Sequence, residues 1–358
     1  MKCFNNYIVD TQILKNNGNN IKEHIGKNCK FCAVVKANAY GIGVEAVCKT
    51  LYGIADFFAV ANLKEALSIR LFDKSTPILI LGHIDINDLK IASDNNLSIS
   101  VGSYFQLDEI VLKNIPIKIH IQINTGLNRF GIRTVTEYKK CIKLLKENSN
   151  VVVEGVYSHF ATKGNDINFV YRQYIRFNQF RKYFISKNVI YHIANSFATN
   201  YSNKFHLDMV RTGFVLYGYA ENNIGNKPVL TIKSQVVNIA NVRRGDTIGY
   251  DRTYVAQKNM KVAVVPIGYA DGLNRRLSNN FSLLINNVKC PIIGRICMDV
   301  VMVDITNAGN INVGTEVIIL GACGEMEISL KDYADSVGTS EYEILCNFNY
   351  KRANYVIK

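Results

Sequence analysis

Lys36 follows the apolar stretch Phe31–Val35, which is an unusual place for a charged side chain. An ammonium group beside buried apolar residues is energetically costly and tends to lose its proton. The neutral amine that remains is the nucleophile of Schiff-base chemistry with carbonyl compounds. A lysine at the end of a strand more often only extends its charged group to solvent, so the role of Lys36 depends on the residues around it.

Other polar residues also lie in segments that come directly after apolar stretches. They are Arg129, His159 and the pair Asn195–Ser196. These side chains supply hydrogen-bond donors and acceptors, and histidine titrates near neutral pH. In a barrel of parallel strands the carboxyl ends of all strands meet on one face. We therefore expect these residues and Lys36 to converge at a single mouth.

Short apolar runs alternate with helix-like polar segments from residue 31 to about residue 220. This alternation is typical of strand–helix units around a parallel sheet. Eight such runs predict an α/β protein with a closed (β/α)8 TIM-type barrel. The predicted strands are Phe31–Val35, Phe57–Val60, Ile78–Leu81, Leu97–Val101, Ile117–Ile123, Val151–Tyr157, Val189–Ile193 and, with the weakest pattern, the stretch near Met209.

After Lys227–Pro228 the sequence becomes rich in strand patterns without long helices, and glycine and asparagine mark the turns. We predict a boundary there, with the barrel over residues 1–227 and a mostly-β domain over residues 228–358. The predicted strands of the second domain are Val229–Ile239, Lys261–Ile267, Phe281–Ile285, Val300–Ile305 and Glu316–Leu320.

The formal net charge of +13 would suit a nucleic acid or an anionic membrane if the basic residues were clustered. They are scattered, with only short concentrations such as Arg275–Arg276, so we expect neither partner. The opening segment MKCFNNYIVD has no apolar core of the kind that secretion signals carry, and no stretch is long enough to span a bilayer. We therefore expect a cytoplasmic protein.

The nine cysteines are too few and too irregularly spaced for a secreted disulfide scaffold, which agrees with a reducing compartment. Cys29 and Cys32 form a CxxC pair, but no second pair or nearby histidine completes a metal set. Cys32 also lies in the apolar run that precedes Lys36. We interpret both thiols as buried in a strand and expect no metal.

The segment Ala33–Gly43, with the sequence AVVKANAYGIG, closely resembles the cofactor-lysine motif of the alanine racemases, which are barrel-fold pyridoxal-phosphate enzymes. The resemblance continues in order along essentially the whole chain. It implies pyridoxal 5′-phosphate as cofactor, an amino acid as substrate, and interconversion of L-alanine and D-alanine. Further matching positions are Asn124–Gly126 with Arg129 and Gly131, Ser158–Thr162, Ala194–Ser196, Val210–Arg211 with Gly213, Gly249–Tyr250, Pro266–Gly272, and Gly294–Arg295 with Met298–Asp299.

The resemblance implies a two-base mechanism with one base on each face of the cofactor. Lys36 matches the residue that carries the cofactor and acts as one base, and Tyr250 matches the second base. In this family the partner subunit supplies that tyrosine from its β domain, so a homodimer with shared active sites is implied. A free phenol titrates near pH 10. The matched His159 and Arg211 would help Tyr250 to act at neutral pH through a hydrogen-bonded chain with local positive charge.

The same resemblance assigns further contacts. Arg211 matches the arginine that faces the pyridine nitrogen, and a guanidinium, which stays protonated, disfavours protonation of the ring and suppresses transamination. Arg129 matches the residue that contacts the cofactor's phenolic oxygen and the substrate carboxylate. The matched phosphate-binding positions are Tyr40, Ser196, Gly213, Phe214 and Tyr350, and the matched partner residues near the substrate are Tyr269 and Met298.

Gln122, Asn124 and Ile42 depart from the family pattern. Many relatives have a lysine at the position of Gln122, and its carbamate positions the arginine that matches Arg129. A glutamine amide cannot form a carbamate. We hypothesise that Gln122 holds Arg129 through its carbonyl, alone or with a small anion such as chloride between them.

Two alternatives to alanine racemisation remain open. A serine or broad-specificity amino-acid racemase shares the fold and cofactor, but Tyr350 beside the substrate methyl group would leave little room for larger side chains. A non-catalytic protein of pyridoxal-phosphate homeostasis has a single barrel and no second domain, whereas this chain continues through residues 228–358. For the racemase, the resemblance implies that D-alanine is supplied for peptidoglycan.

Overall fold

The computed structural model describes residues 3–162, 164–183, 188–220 and 224–358. The chain divides into two compact units. The barrel unit comprises Ile13–Ala39 and Gly43–Lys227, and the β-rich unit comprises Met1–Gln12, Tyr40–Ile42 and Pro228–Lys358.

The strands of the described residues are numbered here along the chain. They are β1 (Asn6–Val9), β2 (Lys30–Val34), β3 (Phe57–Val60), β4 (Ile78–Ile80), β5 (Leu97–Val101), β6 (Ile117–Gln122), β7 (Val151–Tyr157), β8 (Ile190–His192), β9 (Met209–Thr212), β10 (Leu230–Gln235), β11 (Asn238–Val242), β12 (Thr247–Ile248), β13 (Tyr254–Val255), β14 (Met260–Val265), β15 (Ser282–Ile285), β16 (Val288–Pro291), β17 (Val301–Asp304), β18 (Glu316–Cys323), β19 (Met326–Ile328) and β20 (Asn354–Ile357). The right-handed α-helices are Thr11–Ile25, Val44–Leu51, Leu63–Arg70, Leu89–Asp94, Tyr104–Leu112, Val135–Lys146, Ile167–Arg181, Ser196–Tyr201, Leu330–Val337 and Glu341–Asn347.

Strands β2 to β9 are parallel and pair in the order β8-β7-β6-β5-β4-β3-β2-β9. Two backbone hydrogen bonds connect the ends of this sheet: Asp208 N donates to Tyr191 O and Arg211 N donates to Ala194 O, each at 3.0 Å. The predicted TIM-type barrel is confirmed. Strands β3, β4 and β5 are buried along their whole length, which is typical of a parallel sheet covered by helices.

Side-chain caps determine where several of the barrel helices begin. Asn62, Ser103, Thr134 and Asp166 each precede a helix, and each accepts the backbone N–H three residues further on. Such caps satisfy a backbone donor that has no partner within the helix. The loops between strands and helices therefore end at defined residues, which fixes the positions of the side chains in those loops.

The barrel interior contains a layer of buried polar side chains. Ser98, Ser100, His120, Gln122 and His192, from β5, β6 and β8, are at most 5% exposed. Polar groups are buried without a large penalty only where they form hydrogen bonds. The strands that carry this layer were predicted from their apolar residues, so the layer itself was not predicted.

The described residues of the β-rich unit form three sheets. The largest has the strand order β16-β15-β18-β10-β1-β20 with β19 paired to β18, and the others are β11-β14-β17 and β12-β13. β1 pairs antiparallel with β10 and parallel with β20, so the N-terminal residues join the β-rich unit. The sequence-based division at residue 227 placed them with the barrel, because local sequence does not identify the strands with which β1 pairs.

The predicted strand Val229–Ile239 is wrong as a single element. Its two halves, β10 and β11, belong to different sheets. At the break, Val236 N donates to Thr315 O and Val237 N donates to Val264 O, each at 2.9 Å. The chain therefore exchanges partners between adjacent residues without any glycine or proline to mark the change.

No helix in the part of the chain that the structure describes is long and apolar enough to cross a membrane. Within the same residues, no group of three or more His, Cys, Asp or Glu side chains is arranged to hold a metal ion. All nine cysteines are unpaired. Burial raises the pKa of Cys32 to about 12, so this thiol stays protonated and unreactive.

Candidate active site

The segment after Lys36 forms a left-handed turn directly beyond β2. The residues from Ala37 to Tyr40 have φ angles between 52° and 57°. A left-handed conformation costs a non-glycine residue roughly 1–2 kcal/mol. Four such residues in succession persist only where the surrounding structure holds them, and the turn thereby sets the direction in which the chain presents Lys36.

Glu65 supports this turn. Its carboxylate accepts the N–H of Ala37 at 2.9 Å and the N–H of Ala61 at 2.7 Å, which ties the lysine turn to the end of the neighbouring strand β3. Sequence reasoning missed this residue. The available signal was the pattern Asn62-x-x-Glu65 at the start of a helix, where Asn62 Oδ1 accepts Glu65 N at 3.0 Å.

Arg211 lies in β9, only 3% exposed, and its guanidinium is held by several acceptors. Nη2 donates to Ser158 O at 2.7 Å and to His159 Nδ1 at 3.3 Å, and Nη1 donates to His192 Nδ1 at 2.5 Å. The guanidinium carbon lies 5.1 Å from the centre of the Tyr157 ring. Burial lowers the pKa of Arg211, but a guanidinium remains charged in proteins. A fixed positive charge therefore lies at this end of the barrel.

His159 is close to three cations. Its pKa is lowered to about 3, first by burial and then by the positive charges of Arg211, Arg129 and Lys36. The structure thus brings together four of the predicted site residues, and the imidazole is neutral at physiological pH. Since Arg211 can only donate, His159 Nδ1 accepts and Nε2 carries the hydrogen.

Ser196 and the loop after β9 form a group of buried donors. Ser196 Oγ accepts the N–H of Gly213 at 3.2 Å and that of Val215 at 3.4 Å. Phe214, between them, is 4% exposed, and Asn195 caps the helix that Ser196 begins. A buried hydroxyl beside backbone N–H groups suits a phosphate. These residues therefore fit the phosphate of the implied cofactor.

Arg129 lies in the loop after β6 and is exposed. Asn124 holds this loop, because its Oδ1 accepts the N–H of Gly126 at 2.9 Å and of Asn128 at 3.2 Å. Gln122 is buried, and within the described residues its amide forms no hydrogen bond with Arg129. The hypothesis of a direct Gln122–Arg129 contact is thus not supported. Gln122 is still part of the strand and lies on the same face as His120, two residues before it.

Tyr250, Tyr269 and Met298 lie on the surface of the β-rich unit and are 66%, 44% and 53% exposed. Tyr250 follows Gly249, whose φ of 73° favours glycine. Tyr269 N donates to Cys297 O at 3.1 Å, beside Met298. Large exposed apolar side chains in one region are typical of an interaction surface. Both tyrosines line a cavity of about 460 Å³ together with Arg275, Ile296 and Cys297.

Tyr40 and Tyr350 belong to the β-rich unit as well. Tyr40 is buried with its ring centre 6.0 Å from that of Tyr342, and burial raises the pKa of its phenol, which therefore remains a hydrogen-bond donor. Tyr350 packs edge-on against Tyr355 at 5.7 Å, and the Tyr355 hydroxyl donates to Ile42 O at 2.7 Å. The short segment from Tyr40 to Ile42 is thus held by residues of this unit.

Known proteins match the chain over nearly its whole length. Two family models match, described as the alanine racemase N-terminal domain over residues 9–221 and the alanine racemase C-terminal domain over residues 229–356. The alanine racemase of Halothermothrix orenii is 37% identical over 357 residues, which cover 96% of this chain and 94% of that protein. The alanine racemase structure from Bacillus anthracis with bound L-Ala-P has a TM-score of 0.92 at 32% identity and covers 100% of this chain and 96% of that one. The alanine racemase structure from E. faecalis has a TM-score of 0.94 at 29% identity and covers 99% of this chain and 98% of that one.

Proposed function

The chain belongs to the alanine racemase family, and on this premise we propose how its residues perform the reaction. The enzyme interconverts L-alanine and D-alanine with pyridoxal 5′-phosphate as its cofactor. We infer a two-base mechanism, with Lys36 in the barrel and Tyr250 in the β-rich unit of a partner subunit as the bases. The observation that carries this proposal is the buried contact of Arg211 Nη2 with His159 Nδ1 at 3.3 Å, close enough to Arg129 and Lys36 for their charges to act on the imidazole.

When bound, pyridoxal 5′-phosphate supplies an electron-accepting ring that acidifies the α-hydrogen of an attached amino acid. The barrel residues fit this group. Ser196 and the N–H groups of Gly213 and Val215 would hold its phosphate. The Lys36 amine would hold it covalently. Strand β2, which precedes Lys36, pairs with β9, which carries Arg211, so both residues lie on neighbouring strands. By their match to family positions we also assign phosphate contacts to Phe214, Tyr40 and Tyr350.

Arg211 and His159 would control where protons lie. Arg211 can only donate, and a ring nitrogen that faced it would stay unprotonated, which restrains transamination. His159 accepts from Arg211 at Nδ1, so its Nε2–H is available as a donor. A donor directed at the Tyr250 oxygen favours the phenolate, the form of Tyr250 that takes the proton from L-alanine in our proposal.

The proposed site needs two subunits. Tyr250 is two-thirds exposed on the β-rich unit, and Tyr269 and Met298 are exposed beside one another on the same unit. A homodimer in which each β-rich unit presents these residues to the barrel of the partner would cover them. Arg129 would bind the substrate carboxylate as a planar donor pair, and Asn124 would hold its loop in place.

We further propose that the enzyme works in the cytoplasm and supplies D-alanine for peptidoglycan. Nine unpaired thiols agree with a reducing compartment. Comparison of reaction rates on alanine, serine and larger L-amino acids would separate an alanine racemase from a broad-specificity one.

The proposal is tested first at Lys36 in the full chain with added cofactor. We expect the wild type to racemise alanine, and Lys36→Ala to lose both racemisation and the near-ultraviolet to violet absorbance of the bound cofactor. Borohydride reduction of the wild type followed by peptide mapping should place the adduct on Lys36. An adduct on another lysine would contradict the assignment.

The second base and the shared site have their own test. Tyr250→Phe in deuterated water should retain more α-hydrogen exchange on D-alanine than on L-alanine, because Lys36 still acts on its own face. Mixing inactive Lys36→Ala with inactive Tyr250→Phe should restore activity after subunit exchange, since one site of each mixed dimer is intact. Equal loss in both directions, or no recovery despite demonstrated exchange, would refute the two-base, two-subunit site.

A further inference from the structure

A continuous line of hydrogen bonds leads from Arg211 through the barrel interior to Glu154. Arg211 Nη1 lies 2.5 Å from His192 Nδ1, and His192 Nε2 lies 2.8 Å from His120 Nδ1. His120 Nε2 lies 3.0 Å from Glu154 Oε2. The residues belong to four strands, β9, β8, β6 and β7, and both histidines are 0% exposed. Of these four residues, only Arg211 has a role in the reaction proposed above.

The two ends of this line determine where each hydrogen lies. A guanidinium has only donors, so His192 Nδ1 accepts from Arg211 and His192 Nε2 carries a hydrogen. His120 Nδ1 then accepts from His192, and His120 Nε2–H donates to Glu154. All three hydrogen bonds run in the same direction, from the cation to the anion, and both imidazoles are neutral.

The electrostatics of the line agree with this arrangement. Burial is the main cause that lowers the pKa of His120 and of His192, so neither holds a second proton at neutral pH. Burial alone would raise the pKa of Glu154, but hydrogen bonds from His120 and Ser98 and the charge of Lys118 bring it below its usual value. The line therefore has a full positive charge at one end and a full negative charge at the other.

Close packing holds the two imidazoles in their planes. The Tyr157 ring stacks on His192 with centres 5.0 Å apart and an interplanar angle of 6°. His120 meets the Phe57 ring edge-on at 6.2 Å. Gly155 lies against His120 so closely that an added Cβ would be 2.3 Å from Nδ1. The rings cannot rotate away from the line without displacing these neighbours.

We propose that Glu154 is a positioning residue for Arg211, and that it acts through His120 and His192 to orient the guanidinium and to offset its charge. Within the described residues Arg211 forms no ion pair with a carboxylate, so this line is its connection to an anion. The Glu154 side chain is 18% exposed and lies 4.0 Å from Lys118. The order of hydrogens stands on geometry alone, whereas the effect on catalysis rests on the proposed function of Arg211.

The order of hydrogens is measured without activity. In the holoenzyme labelled with ¹⁵N-histidine, long-range nitrogen–proton spectra distinguish protonated from unprotonated ring nitrogens. We expect His120 and His192 to be neutral, with Nε2 protonated and Nδ1 unprotonated in both. A cationic ring, or either ring with its hydrogen on Nδ1, would overturn the proposed line.

The effect on Arg211 is measured with Glu154→Gln and Glu154→Leu, and Glu316→Gln is the matched control. Glu316 forms an exposed ion pair with Lys233 in the β-rich unit. The glutamine carbonyl still accepts from His120, so Glu154→Gln removes the charge and keeps the order of hydrogens. We expect kcat to fall about tenfold with KM within twofold. Glu154→Leu also removes the acceptor, and kcat should fall further, with a change in the absorption of the bound cofactor.

Two outcomes separate this proposal from the function on which it rests. Unchanged kcat in Glu154→Gln, relative to Glu316→Gln, would refute the positioning role. An inactive wild type would refute the proposed function, and the histidine spectra would still decide the order of hydrogens. If Glu154→Gln raised KM by the same factor by which it lowered kcat, the variant would have a general structural defect. That result would also count against the proposal.

Discussion

Gly155→Ala should weaken the barrel through one contact. Gly155 is the cross-strand partner of His120 in β6 and β7. A Cβ at this position would lie 2.3 Å from His120 Nδ1 and 2.6 Å from Cε1, about 1 Å inside ordinary van der Waals contact. His120 is fully buried, so its ring can move only by giving up its hydrogen bonds to His192 and Glu154.

The cost follows from these contacts. Overpacking of a core typically costs about 1–3 kcal/mol. Loss of one neutral hydrogen bond and one to a carboxylate adds about 2–4 kcal/mol, while the gain from replacing a glycine in a strand is below about 1 kcal/mol. We expect Gly155→Ala to lower the free energy of unfolding by about 4 kcal/mol. Val152→Ala, at a half-exposed position of the same strand, is the control and should change it by less than about 0.5 kcal/mol.

A double-mutant cycle tests the mechanism. In a His120→Ala background the imidazole is absent, so Gly155→Ala should cost almost nothing, and the coupling between the two changes should be about 4 kcal/mol. The assay is urea unfolding of the full chain with fixed cofactor, followed by far-ultraviolet circular dichroism. An equal cost of Gly155→Ala in both backgrounds would show that His120 is not the residue displaced.

Two further predictions concern pH and the Arg129 loop. The pKa values of His120 and His192 are lowered in the folded state and return to about 6.5 on unfolding, so the unfolded chain binds more protons below that pH. Stability is therefore retained above pH 6.5 and falls as the pH drops below that value, so urea unfolding should give a lower free energy of unfolding at pH 5.5 than at pH 7.5; equal values would contradict neutral buried rings. Asn124→Ala removes the acceptor for two backbone N–H groups before Arg129, so KM for alanine should rise about tenfold with kcat within about threefold. Gln122→Ala should raise KM less, and the reverse order in steady-state assays would restore Gln122 as the residue that supports Arg129.

Much of the site was predictable because its residues lie in short continuous motifs. Lys36 stands at the end of an apolar run, and His159 and Ser196 follow two other runs in the same way. In a parallel barrel that position alone places a side chain at the carboxyl face, whichever strands are neighbours. The prediction that His159 and Arg211 meet also came from motifs, and their contact at 3.3 Å agrees with it.

The sequence-based predictions were least complete for residues that support the site through hydrogen bonds to the backbone. Support of Arg129 by Gln122, alone or through a small anion, stays a prediction from a motif position, whereas Asn124 accepts hydrogen bonds from two backbone N–H groups of the Arg129 loop. Glu65 was missed because the pattern Asn62-x-x-Glu65 indicates only the start of a helix, and it does not show that the Glu65 carboxylate accepts the N–H groups of Ala37 and Ala61.

The amino-acid sequence by itself determined the class of fold and the family, and it singled out Lys36 for the proposed cofactor role, because apolar periodicity and local motifs are properties of neighbouring residues. Only the tertiary structure decided that β1 pairs with β10, and that His120, Glu154 and His192 form one line to Arg211. In the sequence these residues lie in strands that read as apolar. Their hydrogen bonds require separations within a few tenths of an ångström, which closure of the barrel sets and local sequence does not encode.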